Sequence, residues 1–383
     1  MAVGSATRLG GFYFAYFCYI GAFGAYFSLW LADRGHTAAE ISMVLALPQF
    51  LRIFAPALWG WLADASGARR GIIIGSAALC TAGIALLQHV HSLAGMLLVV
   101  GLVGVFSSGI LPLVEATALA VLTGRPRGYG PVRLWGSIGF MASVFAVGAM
   151  LDASPVALLV PLFALLMAAT FVAALYMPAV APAAKSAAAA GERLWPLLTR
   201  PGVPAFFAAC FFMAVAHGAL YAFYSLYLVQ HGYSKTLVGL MWTIGVAAEI
   251  VVFLVLPWLF RSFSYRAVLL ASFTAAAVRF VAIGWGVDSV GVLVAAQLLH
   301  ALTFGTYHAA SVAMVHRMFA GRLEVRGQAL YASLSYGLGG TVGMLLAGWL
   351  WQTWGPAVTF TASSLAGLAG ACLIACMPED RKS

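Results

Sequence analysis

Charge is what this chain is short of. Only 8% of its 383 residues are Asp, Glu, Lys or Arg, where a soluble domain carries roughly 25%. Water is therefore not the main solvent of this fold. Acids are scarcer than bases, 11 against 20. Cysteine is scarce too: Cys18, Cys80, Cys210, Cys372 and Cys376 sit singly in apolar runs without metal-ligand spacing, which reads as buried apolar thiol and not as a metal site. Long polar stretches are missing, so there is no room for a soluble catalytic domain. The net charge of +9 is spread along the chain without a basic domain, which argues against a nucleic-acid partner.

What the chain has is grease. Hydrophobic residues make up 63% of it and the mean hydropathy is +0.99. Apolar runs recur from end to end, each long enough to cross roughly 30 Å of hydrocarbon. Twelve transmembrane helices are expected, at about 9–31, 40–62, 71–89, 93–120, 131–151, 155–177, 203–229, 237–259, 266–286, 289–316, 327–350 and 354–377. The first is too long and too aromatic for a cleaved signal peptide. Its Gly21 and Gly24 are candidates for close helix approach.

Basic residues set the orientation. Arg34 and Lys235 fall in loops on one side, and Arg52 and Arg279 fall within spans. The rest lie on the other side: Arg8, Arg69, Arg70, Arg125, Arg127, Arg133, Lys185, Arg193, Arg200, Arg261, Arg266, Arg317, Arg322, Arg326, Arg381 and Lys382. Positive charge stays in the cytoplasm, so both termini are expected there.

The chain also repeats itself. At an offset of 197 residues Ala25-Tyr-Phe-Ser-Leu-Trp-Leu falls on Ala222-Phe-Tyr-Ser-Leu-Tyr-Leu, Gly35 on Gly232, and Gly60-Trp-Leu-Ala-Asp64 on Pro257-Trp-Leu-Phe-Arg261. Six spans per copy give two parallel copies. The expected organisation is an all-α membrane protein of two pseudo-symmetric six-helix bundles: 1–177, a polar, proline-bearing cytoplasmic linker 178–202, and 203–383. In the same register Arg52 meets Glu249, and at an offset of 193 Glu115 meets His308 and Arg133 meets Arg326.

Those ionisable positions are the candidate site. Glu115 and Arg133 flank a short basic turn between two apolar helices and can neutralise one another or together grip a polar solute. Facing lipid, Arg52, Glu115, Glu249 and Arg279 would together cost on the order of 10–14 kcal/mol. They must pair or face a wet cavity where the two copies meet. His300, Phe304, Tyr307/His308 and Ser311 share one helical face, and two imidazoles on a stripe can relay a proton near neutral pH. Tyr13, Phe23, Tyr26, Phe27, Phe140, Tyr221, Tyr224 and Phe304 supply an aromatic lining. His217, on one face with Tyr221 and Tyr224, is as consistent with helix packing as with cavity lining. His36, His89, His91 and His231 read as solvated loop residues, and no metal site is expected.

The pattern Gly60-x-Leu-Ala-Asp64-x-x-Gly67-x-Arg69-Arg70 resembles the loop motif of the major facilitator superfamily. Twelve spans and a six-plus-six repeat agree with it. Within it the whole chain looks like the proton-symporter branch of the lactose permease and, more closely, the phenylpropionate permeases. Three stretches carry this: Gly24-Ala-Tyr-Phe-Ser-Leu-Trp-Leu, the Glu115 and Arg133 pair, and Gln297-Leu-Leu-His300-Ala-Leu-Thr-Phe-Gly-Thr-Tyr-His308. The resemblance implies a substrate site at Glu115, Arg133 and Phe140 and a proton-handling histidine at His300. Thr303 stands where that family carries its proton acid, and Glu249 matches an eighth-span acid only after a one-turn shift. The loop motif implies an interdomain clasp formed by Asp64, Arg69 and Arg70, with Gly60 and Gly67.

The function expected is proton-coupled uptake of a small aromatic carboxylate by alternating access. Arg52, Glu115, Arg133, Phe140, Tyr26, Tyr221, Phe304 and His308 would bind the substrate, and Glu249, Arg279, His300 and His308 would handle the proton. The chain is read as a monomer and not an enzyme, in a bacterial inner membrane, with the proton gradient in place of a cofactor. A sugar or nucleoside symporter is the first alternative, favoured by Glu115. A drug–proton antiporter is the second; Gly136–Gly148 lacks the proline of superfamily exporters. A non-transporting scaffold would leave the buried charges without a purpose.

Overall fold

The structure, a computed structural model, describes residues 2–122, 128–180, 195–319 and 321–378. Lys185 and Arg193, with residues 181–194 of the expected linker, lie outside them, as do Arg125, Arg127, Arg381 and Lys382. Among the described residues eleven helical segments are long and apolar enough to cross a membrane, and the last, Glu324–Ala375, is two spans joined at Gly355 (φ 82°) just before Pro356. The twelve expected spans are therefore present. They are α1 Ala2–Asp33, α2 Ala38–Ser66, α3 Arg69–His89, α4 Leu93–Val121, α5 Tyr129–Ala153 and α6 Val156–Leu175. After them come α7 Val203–Gln230, α8 Lys235–Ser262, α9 Tyr265–Trp285, α10 Val290–Met318, α11 (324–354) and α12 (356–375).

Matched positions of the two copies behave alike. Gly35 and Gly232 both end a helix with a left-handed turn (φ 83° and 81°). Two residues on, Thr37 and Ser234 accept a hydrogen bond from the backbone N–H three residues later, and Ser92 and Ser289 do the same two loops further along. Trp61 and Trp258 are both exposed large apolar residues. The apolar windows of α1 and α7 are 67% buried while those of α2 and α8 are 28% buried, so α1 and α7 are inner helices and α2 and α8 leave most of their surface uncovered by the described residues.

Inner helices meet through small residues, because lipid tails compete equally for any apolar side chain and only close packing favours association. In the first unit, a Cβ on Gly139 of α5 would lie 2.4 Å from the Phe14 carbonyl oxygen of α1, and one on Gly21 would lie 2.9 Å from that of Phe140. Gly24 has nothing within 4 Å, so its expected close approach is not made. In the second unit α7 and α11 cross at Gly218 and Gly343, and Ser364 of α12 donates to the Ala277 carbonyl of α9.

Packing divides the chain into one unit of 1–186 with 232–243 and another of 187–231 with 244–383. The sequence-based division differs at 232–243, and Asp152 is the physical reason. Its carboxylate accepts from the backbone N–H groups of Lys235 and Thr236 at 2.7 and 3.0 Å and from the Thr236 hydroxyl. In the first copy Glu40 closes a capping box on Thr37; Leu237 occupies that position in the second copy. Asp152 of α5 supplies the missing carboxylate to the start of α8.

The basic loop motif acts inside its own bundle. Arg70 at the start of α3 donates to the Leu175 carbonyl at the end of α6, and Arg266 at the start of α9 donates to the Ile374 and Ala375 carbonyls at the end of α12. Both cap orphan carbonyls of a helix C-terminus. Gly67 ends α2 with a left-handed residue (φ 66°), a Cβ at Gly60 would meet nothing within 4 Å, and Asp64 is exposed. Neither Asp64 nor Arg69 makes an ion pair among the described residues. The expected interdomain clasp is corrected in this respect: Arg70 is committed to α6 of the same unit. Arg70→Ala and Arg266→Ala are each expected to lower the melting temperature by about 1–3 °C, read by thermal unfolding in detergent.

Candidate functional site

In the first unit the site is built on α1, α4 and α5. Arg133 sits one turn inside α5, which begins at Tyr129. Its guanidinium lies 4.2 Å from the centroid of the Phe17 ring and 5.6 Å from that of Tyr13. Gly136 permits this pose, since a Cβ there would lie 2.7 Å from Arg133 Nη1 and 2.9 Å from the Phe17 ring. Glu115 Oε1 of α4 is 3.9 Å from Arg133 Nε, with side-chain exposures of 39% and 32%. That distance is an ion pair without a hydrogen bond. The guanidinium is thus held by its aromatic faces, and Arg133 makes no hydrogen bond to a described residue.

Phe140, two turns on from Arg133, is half-buried. Tyr26 does not join them: it is fully buried, and its hydroxyl donates to the Val144 carbonyl at 2.7 Å with the Lys235 carbonyl at 3.2 Å. Its expected role in binding is replaced by packing, because the only proton it can donate is already used. Phe27 is also buried, against Phe23, Trp30 and Phe163.

Arg52 marks a break in α2. Arg52–Phe54 interrupt the span between Leu51 and Ala55, with Pro48 before and Pro56 after. Pro56 has no N–H, and the residue before a proline is disfavoured in the α region. The break frees backbone groups at membrane depth, a feature tolerated where protein or water covers them. Arg52 is exposed, and its Nη1 donates to Gln49 Oε1 at 3.2 Å. The two prolines were visible in the sequence; their consequence was missed.

In the second unit Glu249 of α8 and His300 of α10 come together, Oε2 to Nε2 at 3.9 Å, with side chains 15% and 8% exposed. Gly305 lets α8 in: a Cβ there would touch Glu249 Cγ at 3.0 Å. From His300 a stack of rings runs along α10. His300 and Phe304 lie 5.4 Å apart at 15°, and Phe304 and His308 6.3 Å apart at 14°. The stripe read from the sequence is real for these three. Tyr307 and Ser311 leave it: they are buried against Cys210 of α7. Residues Ala301–Thr306 form a π-helical stretch, as do Ser333–Gly339 of α11, a form frequent at functional sites. Tyr336 from the second stretch hydrogen-bonds His308 Nδ1 at 2.9 Å and lies 3.3 Å from the Tyr331 hydroxyl. Neither tyrosine was anticipated, because nothing in the spacing distinguishes them from core aromatics.

Arg279 does not reach Glu249. It is fully buried, donating from Nη1 to Thr303 Oγ1 at 3.0 Å and from Nη2 to Gln297 Oε1 at 3.2 Å. His217 packs edge-on against Phe280 at 5.1 Å, bonded to the Met213 carbonyl, and Tyr221 lies beside it at 5.9 Å. So His217 is a packed residue. Below His308 a cleft of about 840 Å³ opens along α10, lined by Tyr265, Ala309, Val312 and Ala313 and bounded by the contact of His316 Nδ1 with Glu324 Oε1 at 2.7 Å.

Two sites of loosely satisfied polar groups walled by aromatics, on twelve duplicated spans, suit a carrier that handles a small polar solute. The comparisons agree. The chain is 28% identical to a probable 3-phenylpropionic acid transporter of Escherichia coli over 92% of its length and 93% of the relative's. It is 24% identical to the maltose permease of Geobacillus stearothermophilus over 99% and 97%. The crystal structure of the nucleoside transporter NupG superposes with a TM-score of 0.86 at 16% identity, covering 97% of this chain and 98% of that one; this likeness is one of fold. The model of the MFS_1-like family matches residues 6–362, and the chain belongs to that family: it is a secondary transporter of the major facilitator type and not an enzyme.

Proposed function

We propose that the protein is a proton-coupled symporter that imports a small aromatic carboxylate by alternating access. The observation that carries this is the pose of Arg133, a partly exposed guanidinium stacked on Phe17 and Tyr13 and only loosely paired with Glu115. Its donors are available for a carboxylate in the bidentate manner that arginine favours, and an aryl group would meet the same aromatic wall. Phe140, half-buried two turns further along α5, is the next aromatic side chain of this reading. The likeness to a probable 3-phenylpropionic acid transporter supports the same substrate class. Glu249 and His300, with the Phe304–His308 stack beside them, are the proton-handling groups of this reading. It places the chain in a bacterial inner membrane with both termini cytoplasmic, as the distribution of Lys and Arg suggests.

The test is uptake of labelled 3-phenylpropionate into proteoliposomes under an inward proton gradient. Accumulation is expected. Arg133→Gln, which removes a charge-assisted contact of about 1.5–3 kcal/mol, should raise KM about 10- to 100-fold. Gly136→Ala, which pushes the guanidinium off Phe17 without removing it, should raise KM about 3- to 10-fold with little change in melting temperature. A second reading rests on Glu115, whose half-exposed carboxylate is an acceptor for sugar or nucleoside hydroxyls. Transport of a galactoside or nucleoside that 3-phenylpropionate does not inhibit would replace the first reading with the second.

A further inference from the structure

Arg279 is a permanent cation in the middle of α9, 0% exposed, and its polar partners are the neutral side chains of Thr303 and Gln297. No carboxylate lies within ion-pair distance of it among the described residues; Glu249 is beside His300 instead. A buried guanidinium without a countercharge is among the costliest arrangements a membrane interior can hold. Its immediate surroundings are also unfinished. Nε of Arg279, Nε2 of Gln297, Nε2 of His217 and Nδ1 of His300 are buried without a hydrogen-bond partner among the described residues.

These atoms share one neighbourhood. Phe280 carries both the guanidinium, 5.6 Å from its centroid, and the His217 ring at 5.1 Å. A Cβ on Gly245 would meet Gln297 Oε1 and the His300 ring, both at 3.2 Å, so the amide and the imidazole converge on α8 as well. Nε and Nη2 form the edge of a guanidinium that a planar acceptor occupies in bidentate fashion. Here Gln297 fills half of that edge, and the Nε–H is left over. The two orphans whose chemistry is fixed, Arg279 Nε and Gln297 Nε2, are both donors.

We propose that this cluster of buried donors in the second unit binds a small inorganic anion of halide size beside Arg279 Nε. Donors and positive charge select an anion: water accepts from the donors but leaves the guanidinium unbalanced. Size selects a halide. His217, Arg279, Gln297, His300 and Thr303 are each at least 94% buried, which excludes an organic carboxylate of the substrate's size. The site does not depend on what the carrier transports.

The test uses full-length protein purified in sodium gluconate, whose anion is too large for the site. At constant ionic strength chloride or bromide replaces gluconate while thermal unfolding is followed. The melting temperature should rise saturably, by about 3–6 °C when the halide reaches roughly 100 times its dissociation constant. Gln297→Glu supplies an internal carboxylate to the Nε/Nη2 edge. It should melt in gluconate at or above the wild-type value in chloride and lose the halide response. Should that variant not fold, crystals of the wild type grown with bromide provide a direct reading, with anomalous density expected within hydrogen-bond distance of Arg279 Nε. A wild-type melting curve indifferent to halide, an undiminished halide response in Gln297→Glu, or bromide crystals without anomalous density at Arg279 would each overturn the proposal.

Discussion

Glu249→Gln is expected to abolish accumulation driven by a pH gradient while leaving exchange of substrate across the membrane intact. Glutamine has the shape and the neutral charge of a protonated glutamic acid, so the variant is fixed in the protonated form. Glu249 stands 3.9 Å from His300 Nε2 with both side chains largely withdrawn from solvent, where the charge on a carboxylate matters more than at a surface. Gaining a proton removes a buried negative charge at the contact of α8 with α10. If this change biases one conformation over the other, only a group that can release the proton can harvest the gradient. A gradient of two pH units with one proton per substrate sets a ceiling on the order of 100-fold accumulation. The wild type should approach it, and the variant should stop at equal concentrations inside and out. Counterflow at equal pH needs no proton release and should proceed at a rate within about twofold of wild type. Full accumulation by Glu249→Gln would move the proton site elsewhere. Loss of both activities would make Glu249 a structural or binding residue.

The membrane made much of this fold legible. Hydrocarbon forces each crossing segment to be a helix of about 20 apolar residues, so counting runs amounts to counting spans. The duplication was legible for a related reason: helix ends are set by local chemistry, and Gly35 with Thr37 recurs as Gly232 with Ser234. Charges inside spans were legible as exceptions, and Glu115 with Arg133, and Glu249 with His300, do come together.

What could not be read is where each polar atom spends its hydrogen bonds. Tyr26 looked like cavity lining because a tyrosine near a glycine looks the same whether its hydroxyl meets substrate or the Val144 carbonyl. Arg70 looked like a clasp because a sequence names the cation and not its acceptor, which is a backbone carbonyl of α6 more than a hundred positions away. The start of α8 was assigned to its own bundle because the acid that caps it, Asp152, lies on another helix. Arg279 was grouped with Glu249 for their charges alone, yet Thr303 and Gln297 hold it. In each case the pattern gave a residue's type and depth, and tertiary packing chose its partner.

That packing depends on how closely α7 and α11 approach, which Gly218→Ala tests directly. A Cβ added to Gly218 would lie 2.2 Å from the Gly343 carbonyl carbon and 2.7 Å from the Met344 nitrogen. The obstacle is backbone, so no rotamer change relieves it and the helices must separate. Separation weakens dispersion contacts along the whole crossing, which in lipid is the main term holding two helices together. The expected loss is at least about 5 °C in melting temperature, toward the upper end of what overpacking costs. The opposite crossing supplies the parallel case: a Cβ on Gly139 would lie 2.4 Å from the Phe14 carbonyl oxygen of α1, and Gly139→Ala should show a similar loss. Gly24→Ala is the control. It sits on the same kind of inner helix, but a Cβ there meets nothing within 4 Å, and alanine improves helix propensity by up to about 1 kcal/mol. Its melting temperature should hold or rise slightly. The contrast isolates contact from propensity, since all three variants make the same chemical change. Were Gly218→Ala to melt with Gly24→Ala, the two helices would have to cross further apart than 218 and 343 now stand, and the second unit would owe its cohesion to its buried hydrogen bonds instead.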